Sequence, residues 1–285
     1  MTQYDTPYTA SPGETPARPR KWPLAGVMLI DLVIIFVVVI VLTTIISGVF
    51  VGIRAVQQGI SIGRGNIGQD QLLRLLGPDG LFLTLLAQNI VCVGVPMLRI
   101  ALIRRDPLAE IGFQAPRPLR LVLLGLGMAM LMYAGSVIIS GAFAWFGIQQ
   151  NQSEQFAKQF GLTPGATLGQ ALFLIGGGLI APIGEEVLFR GYVFNAIRLT
   201  FQSRAWGLPL AYLGSALLFS LIHAPGISGA IALVTPIFFV ALVLAWGMHR
   251  TGSLLPGIIA HSLFNSFQLV ALIYCINNAG VCPNL

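Results

Sequence analysis

Glu185 and Glu186 stand side by side, with Arg190 four residues after Glu186, inside an apolar run that begins near Leu168. Only ten of the 285 residues are acidic. Each charge in a membrane-embedded stretch costs about 2.5–3.5 kcal/mol on insertion scales, and such groups usually face a bundle interior or a water-filled cavity. Glu186 and Arg190 share one helix face and can pair, with Glu first. Glu185 lies about 100° further round the helix and is left to act as a base or a ligand. A purely structural ion pair accounts for Glu186 and Arg190 but leaves Glu185 unexplained.

Three more polar residues interrupt apolar segments: His223 at the end of Phe219-Ser220-Leu221-Ile222-His223, and His261 and Asn265 in His261-Ser262-Leu263-Phe264-Asn265. The last two are four apart and present one polar face. Arg198, Leu208 and Arg250 mark one boundary of their spans. At 1.5 Å per residue, Glu185 lies about 20 Å from it, His223 and Asn265 about 22 Å and His261 about 16 Å. The expectation is one functional layer. His249, beside Arg250, reads instead as interfacial.

The elements that must position this layer are membrane helices. Hydrophobic residues make up 55% of the chain and charged residues 9%, against about 25% charged in soluble domains. Mean hydropathy is +0.82. The fold class is all-α, a polytopic transmembrane helix bundle of about seven spans. The spans fall near 24–53, 81–103, 121–148, 168–199, 208–224, 230–248 and 254–276, each able to approach or cross about 30 Å of hydrocarbon. Asp70–Leu76 reads as a short interfacial helix, Pro96 as a kink and Asp31 as an interfacial or first-turn carboxylate. Residues 1–22 form a disordered basic tail, 23–160 the N-terminal spans and 168–276 a core that carries the polar layer.

The net charge of +6 is topogenic on this reading, and no basic run interleaves with aromatics to suggest nucleic acid. Ten loop and tail cations (Arg18, Arg20, Lys21, Arg104, Arg105, Arg117, Arg120, Arg198, Arg204, Arg250) fall on the N-terminal side, against Arg54, Arg64, Arg74 and Lys158 on the other. The positive-inside rule then places the N-terminus in the cytoplasm. The plasma membrane is the expected location. Three cysteines are too few for a disulfide framework or a thiolate metal site. Cys92 reads as core, and Cys275 and Cys282 as either bridged or free.

Two chemistries suit the layer. Glu185 can serve as general base on a water that His223 helps to hold, with His261 and Asn265 donating to an oxyanion. Alternatively, His223, His261 and Glu185 can hold a zinc ion with one position open, although no H-E-x-x-H pattern occurs. Two non-enzymatic readings remain: a proton-coupled transporter using the Glu/His layer as a relay, and a non-catalytic immunity or scaffold protein. The transporter reading predicts inverted repeats, and none is visible.

Glu185-Glu186-x-x-x-Arg190, Phe219-x-x-x-His223 and His261-x-x-x-Asn265 together resemble the CPBP family of intramembrane proteases, whose motifs are EExxxR, FxxxH and HxxxN. The run Arg250–Gly257 is also family-like. The resemblance covers about residues 168–270, and the first three spans resemble nothing specific. It implies an integral-membrane endopeptidase of the type that removes the last residues of prenylated CAAX proteins. Glu185 and His223 would activate water, His261 and Asn265 would form the oxyanion site, and Glu186 and Arg190 would support it. The family is described both as metal-independent glutamate proteases and as metalloproteases. The lean here is to the glutamate mechanism, with zinc as the alternative. The implied partners are the bilayer and a peptide or lipidated protein substrate.

Overall fold

The computed structural model of the chain describes residues 25–60, 68–148, 162–223 and 230–278. Among these residues all regular structure is helical. In chain order α1 is Ala25–Gln57, α2 is Gln69–Met97 and α3 is Pro118–Trp145. The composite helix α4 is Thr167–Thr200, followed by α5 Gly207–Ile222, α6 Ala230–Thr251 and α7 Leu255–Asn277. Six of the helices are long and apolar enough to cross a membrane. The exception is α5, whose 16 residues span about 24 Å. The expected helical bundle of about seven elements is therefore what forms, with one element short of a full crossing. The N-terminal tail, Lys158, Cys282 and the residues just after His223 lie outside the described residues. Cys275 is disulfide-bonded, whereas Cys92 is a free thiol in the core.

Local chemistry sets the element ends. Both α3 and α7 begin with a proline in the first turn, where a missing N–H costs no helical bond. The short helix expected over Asp70–Leu76 forms as the start of α2 and is set off from the span by Gly77, whose φ is 64°. Arg54 from α1 services this break. It donates to the Leu75 carbonyl at 2.9 Å and to that of Leu76, and pairs with Asp79 at 2.5 Å. Pro96 lies inside α2, which widens directly afterwards into π-helical turns over Leu98–Ile103.

Wide turns also shape α4. It alternates α-helix (Thr167–Ile175), π-helix (Gly176–Ile180), α-helix (Ala181–Glu185), π-helix (Glu186–Phe194) and α-helix (Asn195–Thr200). Every residue from Glu186 to Phe194 is buried. One apolar cluster surrounds this segment, with Met28 and Ile35 from α1, Val91 from α2, Ile100 from the wide turns after it, Phe219 from α5 and Ala241 from α6. The outward faces are apolar too: Val33 and Phe36 on α1 and Val137 and Ile138 on α3 are exposed, as lipid-facing residues are.

Asp31 departs from its expected place. It is 1% exposed and accepts from Arg99 Nε at 2.9 Å, from a second Arg99 nitrogen, and from the Tyr192 hydroxyl. An interfacial carboxylate would face water. This one ties α1 to the end of α2 and to α4 two residues beyond Arg190. Replacing Asp31 with Ala leaves the buried Tyr192 hydroxyl and the Arg99 guanidinium without their acceptor, at a cost of about 1–3 kcal/mol. Unfolding of the detergent-solubilised variant checks this, and a loss below about 0.5 kcal/mol, the scale of surface substitutions, would show that the triad does not hold the helices.

Candidate functional site

The sequence places its acidic pair where α4 changes pitch. Glu185 closes the short α-helical stretch and Glu186 opens the second wide-turned one. Glu186 is 0% exposed. Its Oε1 lies 3.1 Å from Arg190 Nη1 and 3.0 Å from His261 Nδ1. The guanidinium of Arg190 stacks over the Phe219 ring, 4.2 Å from the centroid, which adds a cation–π attraction where water is excluded. The carboxylate therefore spends one oxygen on two neighbours and keeps Arg190 neutralised in the core.

Both histidines turn the same ring atom toward Glu185. His223 caps the end of α5, and its Nδ1 lies 2.7 Å from the Phe219 carbonyl. A carbonyl can only accept, so Nδ1 carries the hydrogen and a neutral His223 offers a lone pair at Nε2. That Nε2 is 3.9 Å from Glu185 Oε1. His261 repeats the logic from α7. Its Nδ1–H donates to the Glu186 carboxylate, and its Nε2 is 3.6 Å from Glu185 Oε2. Such partners at Nδ1 fix ring orientation. Glu185 Oε2 is itself buried without a hydrogen-bond partner. The centre is thus one carboxylate facing two imidazole nitrogens, an arrangement that can take a proton from a small molecule held between them.

Phe219 is the packing hub. Its ring lies 4.6 Å from that of His223, 5.7 Å from His261 and 5.2 Å from Phe189. The sequence marks it only as part of a motif, and its contact with both histidines is a feature of the fold. Close approach is served by glycine: a Cβ at Gly257, in the first turn of α7, would meet Glu186 Oε2 at 2.7 Å.

Asn265 is placed differently from the other five candidates. Glu185, Glu186, Arg190, His223 and His261 form one chain of contacts, while Asn265 Nδ2 donates to the Gly177 carbonyl at 3.1 Å. One of its two amide hydrogens is committed to the backbone of α4. His249 lies apart, with its Nδ1 2.9 Å from the Tyr212 hydroxyl.

A zinc ion would call on His223, His261 and Glu185. Zinc bonds of 2.0–2.2 Å bring tetrahedral donors to about 3.4 Å from one another, and the His223–Glu185 separation is wider at 3.9 Å. Among the described residues no group of three or more His, Cys, Asp or Glu side chains is placed to hold a metal ion. As they stand, these residues do not form a metal-binding group.

The helices and the buried polar centre define a polytopic membrane protein with a candidate site in its interior. Residues 167–267 match the family model described as type II CAAX prenyl endopeptidase Rce1-like, so the resemblance carried by the three motifs is borne out across the segment that contains them. A 90-residue stretch is 29% identical to the UPF0177 protein YxdF of Lactococcus lactis, covering 32% of this chain and 44% of that protein. The chain thus spans less than half the length of this relative. No solved structure matches.

The two glutamates differ in what their loss leaves behind. Glu186→Ala strips Arg190 and His261 of a fully buried counter-charge and is expected to cost about 3–5 kcal/mol. Glu185→Gln removes no ion pair with Arg190 and should stay within about 1 kcal/mol of wild type. Unfolding of both variants in the same detergent checks the contrast, and equal losses would refute it.

Proposed function

We propose that this chain is an intramembrane endopeptidase of the CAAX type, hydrolysing a peptide bond near the C-terminus of a membrane-associated, lipidated substrate. The observation that carries the reading is the convergence of His223 Nε2 and His261 Nε2 on the Glu185 carboxylate. It is supported by the Rce1-like match over the same residues.

In the proposed reaction a water lies between Glu185 and His223. Glu185 accepts one of its protons while His223 Nε2 accepts a hydrogen bond from the other. The water oxygen attacks the scissile carbonyl carbon. The carbonyl oxygen becomes an oxyanion, stabilised by donors aimed at it. His261 faces it with Nε2, its ring held by the Nδ1–H bond to Glu186. Asn265 contributes through its remaining amide hydrogen. Collapse of the intermediate breaks the C–N bond, and the proton held by Glu185 passes to the leaving amine. Glu186 and Arg190 hold His261 and the backbone in place. This is the glutamate form of the mechanism. The proposed setting is the plasma membrane; the ten-to-four distribution of loop and tail cations supports a cytoplasmic N-terminus.

The test is cleavage of a prenylated C-terminal peptide library by purified protein in detergent, beside Glu185→Ala and His223→Ala, each with and without chelator. The expected result is cleavage by wild type, insensitive to chelator and lowered at least about 100-fold in kcat/KM by either substitution. Activity lost to chelator and restored by zinc would replace the glutamate form with a metal-assisted one. A folded wild type that cleaves nothing, together with Glu185→Ala that still complements a deletion in the host, would overturn the enzymatic reading.

A further inference from the structure

The backbone that presents Glu185 has an unusual supply problem. Pro182 has no N–H, and in the i→i+5 register of Gly176–Ile180 the carbonyl it would have served is Gly177. In lipid each unserved backbone group costs several kcal/mol unless another part of the protein satisfies it. Asn265 meets this need at Gly177, and side chains donate to the surrounding carbonyls from two directions. From α7, Asn265 Nδ2 donates to Gly177 O at 3.1 Å and Ser266 Oγ to Gly178 O at 3.4 Å. From α2, Asn89 Nδ2 donates to Ile180 O.

Asn89 makes a second contact with the same segment. A Cβ at Gly184 would meet Asn89 Nδ2 at 2.8 Å and Asn89 Cγ at 3.0 Å, so the amide lies flat against the backbone one residue before Glu185. It therefore touches α4 five residues and one residue ahead of the carboxylate. It also lines, with Gln88, Cys92 and Glu185 itself, a small cleft between α2 and α4. Asn89 lies outside residues 167–267, the stretch that matches the Rce1-like family.

We infer that Asn89 is a positioning residue for Glu185. Its amide fixes the Ile180–Gly184 turn from the α2 side, opposite the anchoring by Asn265 and Ser266, and so sets the distance of the Glu185 carboxylate from His223 and His261. The catalytic part of this inference rests on the proposed peptidase reaction. Misplacement of a reacting group by about 1 Å costs on the order of 100-fold in rate, and an amide clamp of this kind governs shifts of that size without touching substrate.

The experiment compares Asn89→Leu, which keeps the branched side-chain shape and removes the donor, with Asn89→Ala and with Leu83→Ala on the exposed face of the same helix. Two readouts are taken: kcat and KM for the cleaved peptide, and the rate at which a hydrophobic carbodiimide labels Glu185, followed by mass spectrometry. Both Asn89 variants should lose about 10–100-fold in kcat with KM within about twofold, and should change the labelling rate severalfold, while Leu83→Ala changes neither. Unchanged kcat and labelling, or a kcat loss that only tracks the folded fraction, would overturn the inference. If wild type cleaves no peptide, the kinetic readout falls away and the complementation test above decides the peptidase reading. The labelling rate then still decides whether Asn89 positions Glu185, and an unchanged rate would overturn that.

Discussion

A buried charge in a membrane protein must be neutralised where it stands, and the Glu186–Arg190 pair does this within a single helix. Both side chains are 1% exposed. Removing either would strand the other in a medium that solvates it poorly. The pair determines what its neighbours can be. Phe219 covers the guanidinium, Gly257 lets α7 come close enough for His261 to reach Glu186, and His261 is thereby held with its second nitrogen toward Glu185. Adjacent in sequence, the glutamates end in different settings: Glu186 Oε1 is shared by Arg190 and His261, while Glu185 faces the Nε2 atoms of the two histidines.

Along the wide-turned helix α4, several backbone carbonyls also accept from side chains of the helices around them and of α4 itself. Ser215 donates to Phe189 O at 3.0 Å, Asn195 Nδ2 to Gly191 O at 3.0 Å, and Asn265, Ser266 and Asn89 to the glycine-rich stretch before Glu185. Wide turns inside helices recur at functional sites. Here nine consecutive residues, Glu186–Phe194, are buried, because helices α2, α5 and α6 and the Leu108–Ile111 turn close around them. Gly191 is part of that closure: a Cβ on it would meet the Ile111 carbonyl at 2.7 Å.

What the sequence disclosed follows from which signals are local. Span positions depend on hydropathy over about twenty residues, so the helix limits agree with expectation to within a few residues except at α2, which takes in the short helix before Gly77 and passes into wide turns after Met97. The meeting of Glu185 with His223 and His261 was legible because depth along a helix is a simple product of residue count and rise. The pairing of Glu186 with Arg190 was legible because it is an i,i+4 relation. Asp31 was misread because its partners, Arg99 and Tyr192, are 68 and 161 residues away, and no local pattern links them. The π-helical turns were invisible for a similar reason. Glycines and a proline announce that a backbone can deviate, but the direction depends on donors supplied by other helices. Asn265 shows the same limit: its spacing from His261 gave the shared face, and only the fold shows that one amide hydrogen goes to Gly177.

The family match stops short of α1 and α2, yet the site does not. Asn89 holds the turn before Glu185, and Arg99, through Asp31, reaches Tyr192 just after Arg190. One helix thus brackets the glutamates from both sides with polar contacts, and a single apolar cluster joins α1 and α2 to α4. Motif comparison registers the groups that would meet a substrate, since their chemistry tolerates few alternatives. Groups that anchor a backbone carbonyl can be any donor of suitable reach, on any helix that packs alongside. The helices lacking a recognisable motif are therefore where chains with the same three motifs can differ most in how the carboxylate is aimed.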